Sequence, residues 1–187
     1  MPNITEARVL IIATDGVEQA ELTTPRDELR KAGAQVDVAT PSGKEIRGWN
    51  MTDWGEKIPA DLKIEDVNCD DYNALVIPGG VINPDKLRVD DTAMEVVEYF
   101  LGSEDKLVAA ICHGPWLLVQ ADACDGRRMT SYHSIRMDVE NAGADWVDEE
   151  VVQDGRLITS RNPKDLPAFS AKIVEELKSG DYARAAE

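Results

Sequence analysis

A cysteine between a buried strand and a helix is the residue of this chain best suited to covalent chemistry. Cys112 directly follows the apolar run 107–111 and precedes a His-Gly-Pro run that begins at His113. A nucleophile at a tight strand-to-helix turn is exposed at the edge of the sheet, and the positive N-terminus of the helix stabilises a thiolate there. The adjacent histidine can accept the thiol proton or carry a positive charge. The pattern predicts a nucleophilic Cys112 with His113 as its partner.

The alternative for each cysteine is a packed thiol, because free cysteine often behaves as a small buried hydrophobic residue. Strand, Cys-His, Gly-Pro and helix in succession favour the nucleophile at Cys112. Cys69 and Cys124 have acidic neighbours, which oppose a thiolate, so we expect both to be structural. An odd number of widely spaced cysteines also disfavours a disulfide framework and indicates a reducing cytosol.

Backbone amides after a second strand could complete this site. Gly79 and Gly80 follow the apolar run 74–77, and their amides have no side chain in the way. Facing Cys112, these amides would form an oxyanion hole together with the amide of His113. Taken alone, Pro-Gly-Gly usually marks only a turn.

Two acidic residues open the first predicted helix. Glu18 and Glu21 are separated by about one helical turn, where acidic side chains complement the helix dipole. The functional alternative is that one of them points across the strand ends at Cys112. A carboxyl that is desolvated beside a thiolate tends to be protonated and to donate a hydrogen bond to the sulfur.

A mainly parallel sheet would bring these strand ends together, and the chain alternates strands and helices in the way that builds one. The predicted strands are 8–14, 36–40, 74–77, 107–111 and 128–131, with a hairpin over 146–160. The predicted helices are 19–32, 85–87, 92–101, 113–121, 135–142 and 166–177. Residues 44–68 read as an extended excursion or hairpin followed by an acidic turn. The expected fold is α/β, a sheet between helices with a small antiparallel excursion.

Composition and charge restrict the class of protein. The 187 residues predict one domain, 1–187, with a core over about 8–178. With 36 acidic and 20 basic side chains, the net charge of −16 opposes binding to nucleic acid or to an anionic membrane. No apolar run approaches the ~20 residues of a spanning helix, and the N-terminus lacks the pattern of a signal peptide. We therefore expect a cytoplasmic protein.

Two histidines leave few ligands for a metal, and we expect no metal and no cofactor.

These motifs together resemble the ThiJ/PfpI family, which includes intracellular proteases and protein deglycases. The resemblance is carried by Glu21 four residues before Pro25, Ala-Leu-Val-Ile-Pro-Gly-Gly at 74–80, Ala-Ile-Cys-His-Gly-Pro at 110–115, and shorter runs at 141–144, 150–155 and 159–161. It covers about 8–178 and implies a flavodoxin-like sandwich with Cys112 on a strained turn. It also implies that Glu21 hydrogen-bonds the sulfur, and that Glu18 is the nearby acidic position of the family.

The resemblance carries further implications for the site. In PfpI-like proteins a glutamate from the neighbouring subunit completes a triad, and Asp85 stands at the corresponding place, after a loop longer by one residue. Tyr132 matches a tyrosine near the site, and His133 replaces a proline. Family members are homodimers or higher assemblies with the site near a subunit interface. The family is similar to glutamine amidotransferases, which need a His-x-Glu near the end of the chain. No histidine follows His133, so we do not expect glutamine hydrolysis.

Three functions remain open at this point. The first is stress-protective deglycase or glyoxalase chemistry on glyoxal, methylglyoxal or their early protein adducts, with a cysteine nucleophile. The second is a PfpI-type intracellular cysteine peptidase acting on unfolded proteins. The third is a non-enzymatic, redox-responsive stress protein, since an accessible low-pKa cysteine oxidises readily. The expected partners are therefore small carbonyl compounds, modified or unfolded proteins, and further copies of the chain.

Overall fold

Apolar runs of the sequence form the central strands of a seven-stranded sheet. The structure, a computed structural model, describes residues 4–179, so both ends of the predicted 1–187 domain lie outside the described residues. The strands are β1 Arg8–Ile12, β2 Gln35–Thr40, β3 Ile46–Asn50, β4 Asp53–Ile58, β5 Leu62–Lys63, β6 Ala74–Ile77, β7 Leu107–Ile111, β8 Arg128–Met129, β9 Asp145–Trp146, β10 Val151–Asp154 and β11 Leu157–Ser160. The helices are α1 Gln19–Ala32, α2 Ile82–Leu87, α3 Asp91–Gly102, α4 Trp116–Gln120, α5 Arg136–Asn141 and α6 Leu166–Ser179.

The strand order of the sheet is β10-β11-β7-β6-β1-β2-β5. Every neighbouring pair is parallel except β10 and β11, which form the predicted antiparallel hairpin at the edge. A second hairpin, β3–β4, lies within the predicted excursion 44–68. The mainly parallel sheet and the small hairpin confirm the predicted fold class.

Both faces of the sheet are covered, which explains why its central strands are apolar at successive positions. In β1, Val9 and Ile11 pack into the cluster that contains α1 and α6, through residues such as Phe169. Leu10 and Ile12 pack into the opposite cluster with α3, α4 and α5. Helices thus lie on both sides of the sheet and leave its strand ends open. Within residues 4–179, no helix combines the length and the apolar character that crossing a bilayer requires.

Some predicted elements are shorter in the structure because their backbone groups have other partners. The strand predicted to reach residue 14 ends at Ile12, and the amide of Thr14 donates to Oδ1 of Asn83 at 2.8 Å. The strand predicted over 128–131 ends at Met129, because the next amide donates to the side chain of Thr159. In both cases a side chain, and not a neighbouring strand, accepts from the amide beyond the end of the strand.

The helix predicted over 113–121 is also shorter and contains only Trp116–Gln120. A tight turn precedes it, in which the amide of Gly114 donates to the carbonyl of Ile111 at 2.9 Å. A Cβ on Gly114 would lie 2.6 Å from the carbonyl oxygen of Ile77, so only glycine fits between the two strands. This close approach brings the end of β7 against the end of β6.

Candidate active site

A cavity of about 460 Å³ opens at the carboxyl ends of β1, β6 and β7. This is where ligands bind in parallel α/β sheets. The cavity is lined by Gly16, Glu18, Glu21, Trp49, Met51, Gly80, Val81, Ile82, Cys112, His113, Tyr132, Ser134 and Pro163. Its walls are largely apolar, and its few polar groups surround the sulfur of Cys112. Such an arrangement is typical of a small-molecule site.

Cys112 occupies a strained turn at the base of this cavity. Its φ of 64° lies in the left-handed region, which non-glycine residues seldom adopt. Hydrogen bonds on both sides hold it there: its amide donates to the carbonyl of Ser160 at 3.0 Å, and its carbonyl accepts from the amide of Tyr132 at 2.8 Å. Strain of this kind costs on the order of 1–3 kcal/mol and is concentrated at functional sites.

Backbone amides face the sulfur, but one of the three expected donors lies elsewhere. The amides of Gly80 and His113 lower the pKa of the Cys112 thiol, as donors that favour its thiolate form. The amide of Gly79, which we expected at the oxyanion hole, donates instead to Oε2 of Glu21 at 2.8 Å. Gly80 has a φ of 76°, and a Cβ there would lie 2.7 Å from the backbone of the loop before α1. The amide of Gly80 lies near both Cys112 and Glu21, and it lowers the pKa of each side chain.

Glu21 is fully buried between this amide and the sulfur. Burial raises the pKa of its carboxyl to about 8, and hydrogen bonds from Cys112 and the amide of Gly79 only partly oppose this. The negative charge of Glu18 adds to the increase in pKa. The carboxyl of Glu21 therefore carries a proton at neutral pH and can donate it in a hydrogen bond to the sulfur.

Burial is also the main influence on Cys112. It raises the pKa of the thiol well above its usual value, and the charge of Glu21 raises it further when that carboxyl is ionised. The amides of Gly80 and His113 act in the opposite direction. The sequence predicted that the next helix stabilises the thiolate, but α4 begins only at Trp116 and has five residues. The stabilising donors are therefore the two amides and not a helix dipole.

His113 lies with its ring against the sulfur. Its Nδ1 is 3.2 Å from Sγ of Cys112, and its Nε2 is 3.1 Å from Oγ of Ser134. The ring stacks on Tyr132, with centroids 4.8 Å apart. Burial, followed by the charge of His133, lowers the pKa of His113 to about 4. The imidazole is therefore neutral at physiological pH and available as a proton acceptor.

The remaining predicted residues divide between the cavity and the surface. Glu18 lies in the cavity wall, where its Oε2 accepts a hydrogen bond from the amide of Met51 at 3.3 Å and where burial raises the pKa of its carboxyl. Tyr132 forms another part of the wall. Asp85 is outside the cavity lining, on α2, and its carboxylate pairs with Arg88 at 2.6 Å. Within one chain, the structure thus places Asp85 apart from the cysteine and the histidine.

Several residues of the site were not predicted from the sequence. Trp49 and Met51, on the β3–β4 hairpin, form one wall of the cavity, and Ser134 hydrogen-bonds His113. Asn83 is fully buried and connects two loops, since its Nδ2 donates to the carbonyl of Pro78. A polar residue three positions after Pro-Gly-Gly was the available signal for Asn83. Among residues 4–179, no group of three or more His, Cys, Asp or Glu side chains is arranged to hold a metal.

Known proteins resemble this chain over most of its length. Residues 7–176 match the DJ-1/PfpI family. General stress protein 18 of Bacillus subtilis is 45% identical over 174 residues, which cover 91% of this chain and 98% of that protein. Deglycase PfpI of Pyrococcus furiosus is 38% identical, over 91% of this chain and 99% of that protein. The crystal structure of DJ-1beta of Drosophila melanogaster is 31% identical, with a TM-score of 0.84 over 97% of this chain and 96% of that chain.

Proposed function

The chain belongs to the DJ-1/PfpI family, and on that premise we propose that it is a stress-protective, cysteine-dependent hydrolase or lyase acting on glyoxal, methylglyoxal or their early protein adducts. The observation that carries the proposal is the 3.2 Å contact between Sγ of Cys112 and Nδ1 of a neutral His113, at the base of an apolar cavity. Relatives named as a general stress protein and a deglycase support the same chemistry.

The first step would be addition of the thiol to the aldehyde carbon. As the C–S bond forms, the carbonyl π electrons move to oxygen and the thiol proton passes to Nδ1 of His113. Proton transfer from His113 to that oxygen completes a hemithioacetal. The amides of Gly80 and His113 lie beside the sulfur, where they can stabilise the developing oxyanion. The protonated carboxyl of Glu21 adds no negative charge to this step at neutral pH.

The following steps depend on what the aldehyde carries. With free methylglyoxal, transfer of a proton from the aldehyde carbon to the neighbouring carbonyl carbon through an enediol gives a lactoyl thioester. Water then hydrolyses this thioester to lactate and regenerates the thiol. With a carbinolamine adduct, the C–N bond breaks with its electron pair going to nitrogen, which receives the thiol proton through His113 and leaves as the amine. The sulfur forms the new bond to the released carbon, which gives the same hemithioacetal. His113, next to the sulfur, is positioned to move these protons.

The state of His113 favours aldehyde chemistry over peptide-bond cleavage. A cysteine peptidase must protonate an amine leaving group, which requires a histidine that holds a proton near neutral pH. Burial instead lowers the pKa of His113 to about 4. Addition of the thiol to a free aldehyde expels no amine, so this pKa favours free glyoxal or methylglyoxal over substrates that must release an amine, which include peptides and carbinolamine adducts.

Turnover assays with cysteine variants test this proposal. Wild-type protein, Cys112→Ala and the matched control Cys69→Ala are incubated with methylglyoxal and with a methylglyoxal adduct of an N-acetylated amino acid. We expect formation of lactate or release of the amino acid by the wild type and the control, and loss of both in Cys112→Ala. Equal turnover by Cys112→Ala, or cleavage of casein in place of carbonyl turnover, would contradict the proposal. Cell protection by a variant without turnover would favour the redox-responsive function.

We also propose that the chain assembles into a homo-oligomer with the cavity near an interface. Met51 and Val81 line the cavity and are 68% and 56% exposed, which leaves apolar surface at its mouth. Light scattering of the purified protein would give the mass, and a monomer at micromolar concentration would contradict this proposal. The predicted cytoplasmic location remains a prediction that cell fractionation would test.

A further inference from the structure

The second ring nitrogen of His113 has a partner within its own chain. Nε2 lies 3.1 Å from Oγ of Ser134, in the short 3₁₀ helix His133–Ile135. This helix is anchored to the nucleophile, because the amide of the preceding residue, Tyr132, donates to the carbonyl of Cys112 at 2.8 Å. The serine hydroxyl is thus held in a fixed place relative to the sulfur and the imidazole.

The chemistry of the two contacts distinguishes the tautomers of a neutral imidazole. One ring nitrogen carries the proton and donates, and the other accepts. A hydroxyl oxygen is a good acceptor, whereas a thiol sulfur is a weak one. The proton is therefore better placed on Nε2, facing Ser134, and the lone pair of Nδ1 then faces the thiol of Cys112. The opposite tautomer would direct an N–H group at the S–H group and could not take up its proton.

We propose that Ser134 is a positioning residue: its Oγ accepts a hydrogen bond from Nε2–H of His113 and so holds the imidazole in the tautomer whose Nδ1 can accept the Cys112 proton. This inference rests on the proposed function, in which His113 moves that proton. It assigns the third position of the Cys-His arrangement to a hydroxyl of the same chain. The thiol proton passes from Sγ to Nδ1 and then to the substrate oxygen, and Ser134 exchanges no proton.

Asp85 is the rival for this position. A carboxylate supplied by a neighbouring copy would also accept from Nε2–H, as the family resemblance implies for Asp85. In the structure, however, the Asp85 carboxylate pairs with Arg88, and the Nε2 position is already occupied by Ser134. If Ser134 holds the imidazole, Ser134→Ala changes the tautomer of His113. If Asp85 of a neighbouring copy holds it, Asp85→Asn changes the tautomer instead.

Nitrogen-15 NMR of the imidazole rings tests the assignment without relying on turnover. The chain has two histidines, so a His133→Asn variant identifies the signals of His113. At pH 7 we expect a protonated Nε2 and an unprotonated Nδ1 in the wild type and in Ser134→Thr, which keeps the hydroxyl. In Ser134→Ala we expect a mixture of tautomers. An unchanged spectrum in Ser134→Ala, a wild type protonated on Nδ1, or a change in Asp85→Asn in its place would overturn the proposal.

Kinetics with methylglyoxal give the second measurement. Ser134→Ala is expected to lower kcat by about 10-fold with little change in KM, by analogy with the partners that orient metal-bound histidines, whose removal costs roughly 10–100-fold. Ser134→Thr should restore most of the loss. Ser103→Ala, which removes a hydroxyl at the end of α3, is the matched control. Absence of turnover in the wild type would refute the proposed function but leave the tautomer to be decided by the spectra. Equal kcat in Ser134→Ala and wild type would overturn the positioning role.

Discussion

The buried carboxyl of Glu21 makes the stability of this protein depend on pH in a direction that a single substitution can reveal. Burial raises the pKa of Glu21 from 4.5 to about 8, so the folded protein holds a proton that the unfolded chain releases between these values. The free energy of unfolding therefore contains a contribution that is fully present below pH 4.5 and is lost as pH rises toward 8. Glu21→Gln keeps the size of the side chain but cannot titrate, so this contribution disappears.

The size of the effect follows from the width of that range. Each pH unit within it changes the free energy of unfolding by about 1.4 kcal/mol for one proton. Between pH 5 and pH 7, which lie inside the range, the wild type should lose about 3 kcal/mol relative to Glu21→Gln. Free cysteines of the unfolded chain have a pKa of ~8.5, above this interval, so their ionisation does not affect the comparison. The predicted sign is that raising the pH favours the glutamine variant.

Urea denaturation of both proteins at pH 5 and pH 7 measures this difference. Comparing the change in each protein cancels the titration of the other carboxylates, and Glu95→Gln, at an exposed position of α3, is the control. Parallel pH dependences for wild type and Glu21→Gln would refute the reasoning. A wild type that gains stability relative to the variant as pH rises would mean that Glu21 is ionised in the folded state.

Three further substitutions test the surroundings of the sulfur. Gly80→Ala should lower the free energy of unfolding by more than about 1 kcal/mol, because its Cβ would meet the backbone of loop 16–18 at 2.7 Å. It should also abolish carbonyl turnover, because the clash displaces the amide that favours the Cys112 thiolate. A melting curve and turnover like those of the wild type would contradict this. Asn83→Ala should cost about 3 kcal/mol, because it leaves an amide after β1 and a carbonyl after β6 without their buried partner; urea denaturation gives the value. His133→Asn should raise the pKa of His113, because the charge of His133 lowers it; an NMR titration that shows no change or a decrease would exclude this coupling.

The central part of the fold could be predicted because its signals are local. Strands buried on both faces are continuous apolar runs, as in 74–77 and 107–111, and both runs are parallel strands next to each other in the sheet. The Cys-His pair was also visible in the sequence, since the turn after 107–111 places Cys112 at the sheet edge. The sequence could not show that the adjacent ring points at the sulfur, because this depends on the positive φ of Cys112.

The parts that were missed depend on contacts between distant segments. Ser134 contacts His113 across 21 positions, and no periodicity or motif connects the two residues. The donation of the Gly79 amide to Glu21 joins residues 58 positions apart, which a Pro-Gly-Gly run does not specify. The raised pKa of Glu21 was predicted in direction, because a carboxyl desolvated beside a thiolate favours its protonated form.

Direct observation of the covalent adduct on Cys112 tests the account most directly. The protein is mixed with methylglyoxal labelled with carbon-13 at the aldehyde carbon. We expect one new resonance from a carbon bonded to both sulfur and oxygen, lost in Cys112→Ser and retained in Cys69→Ser. The same resonance in Cys112→Ser, or consumption of methylglyoxal with no such resonance in any variant, would contradict the assignment of Cys112 as the nucleophile.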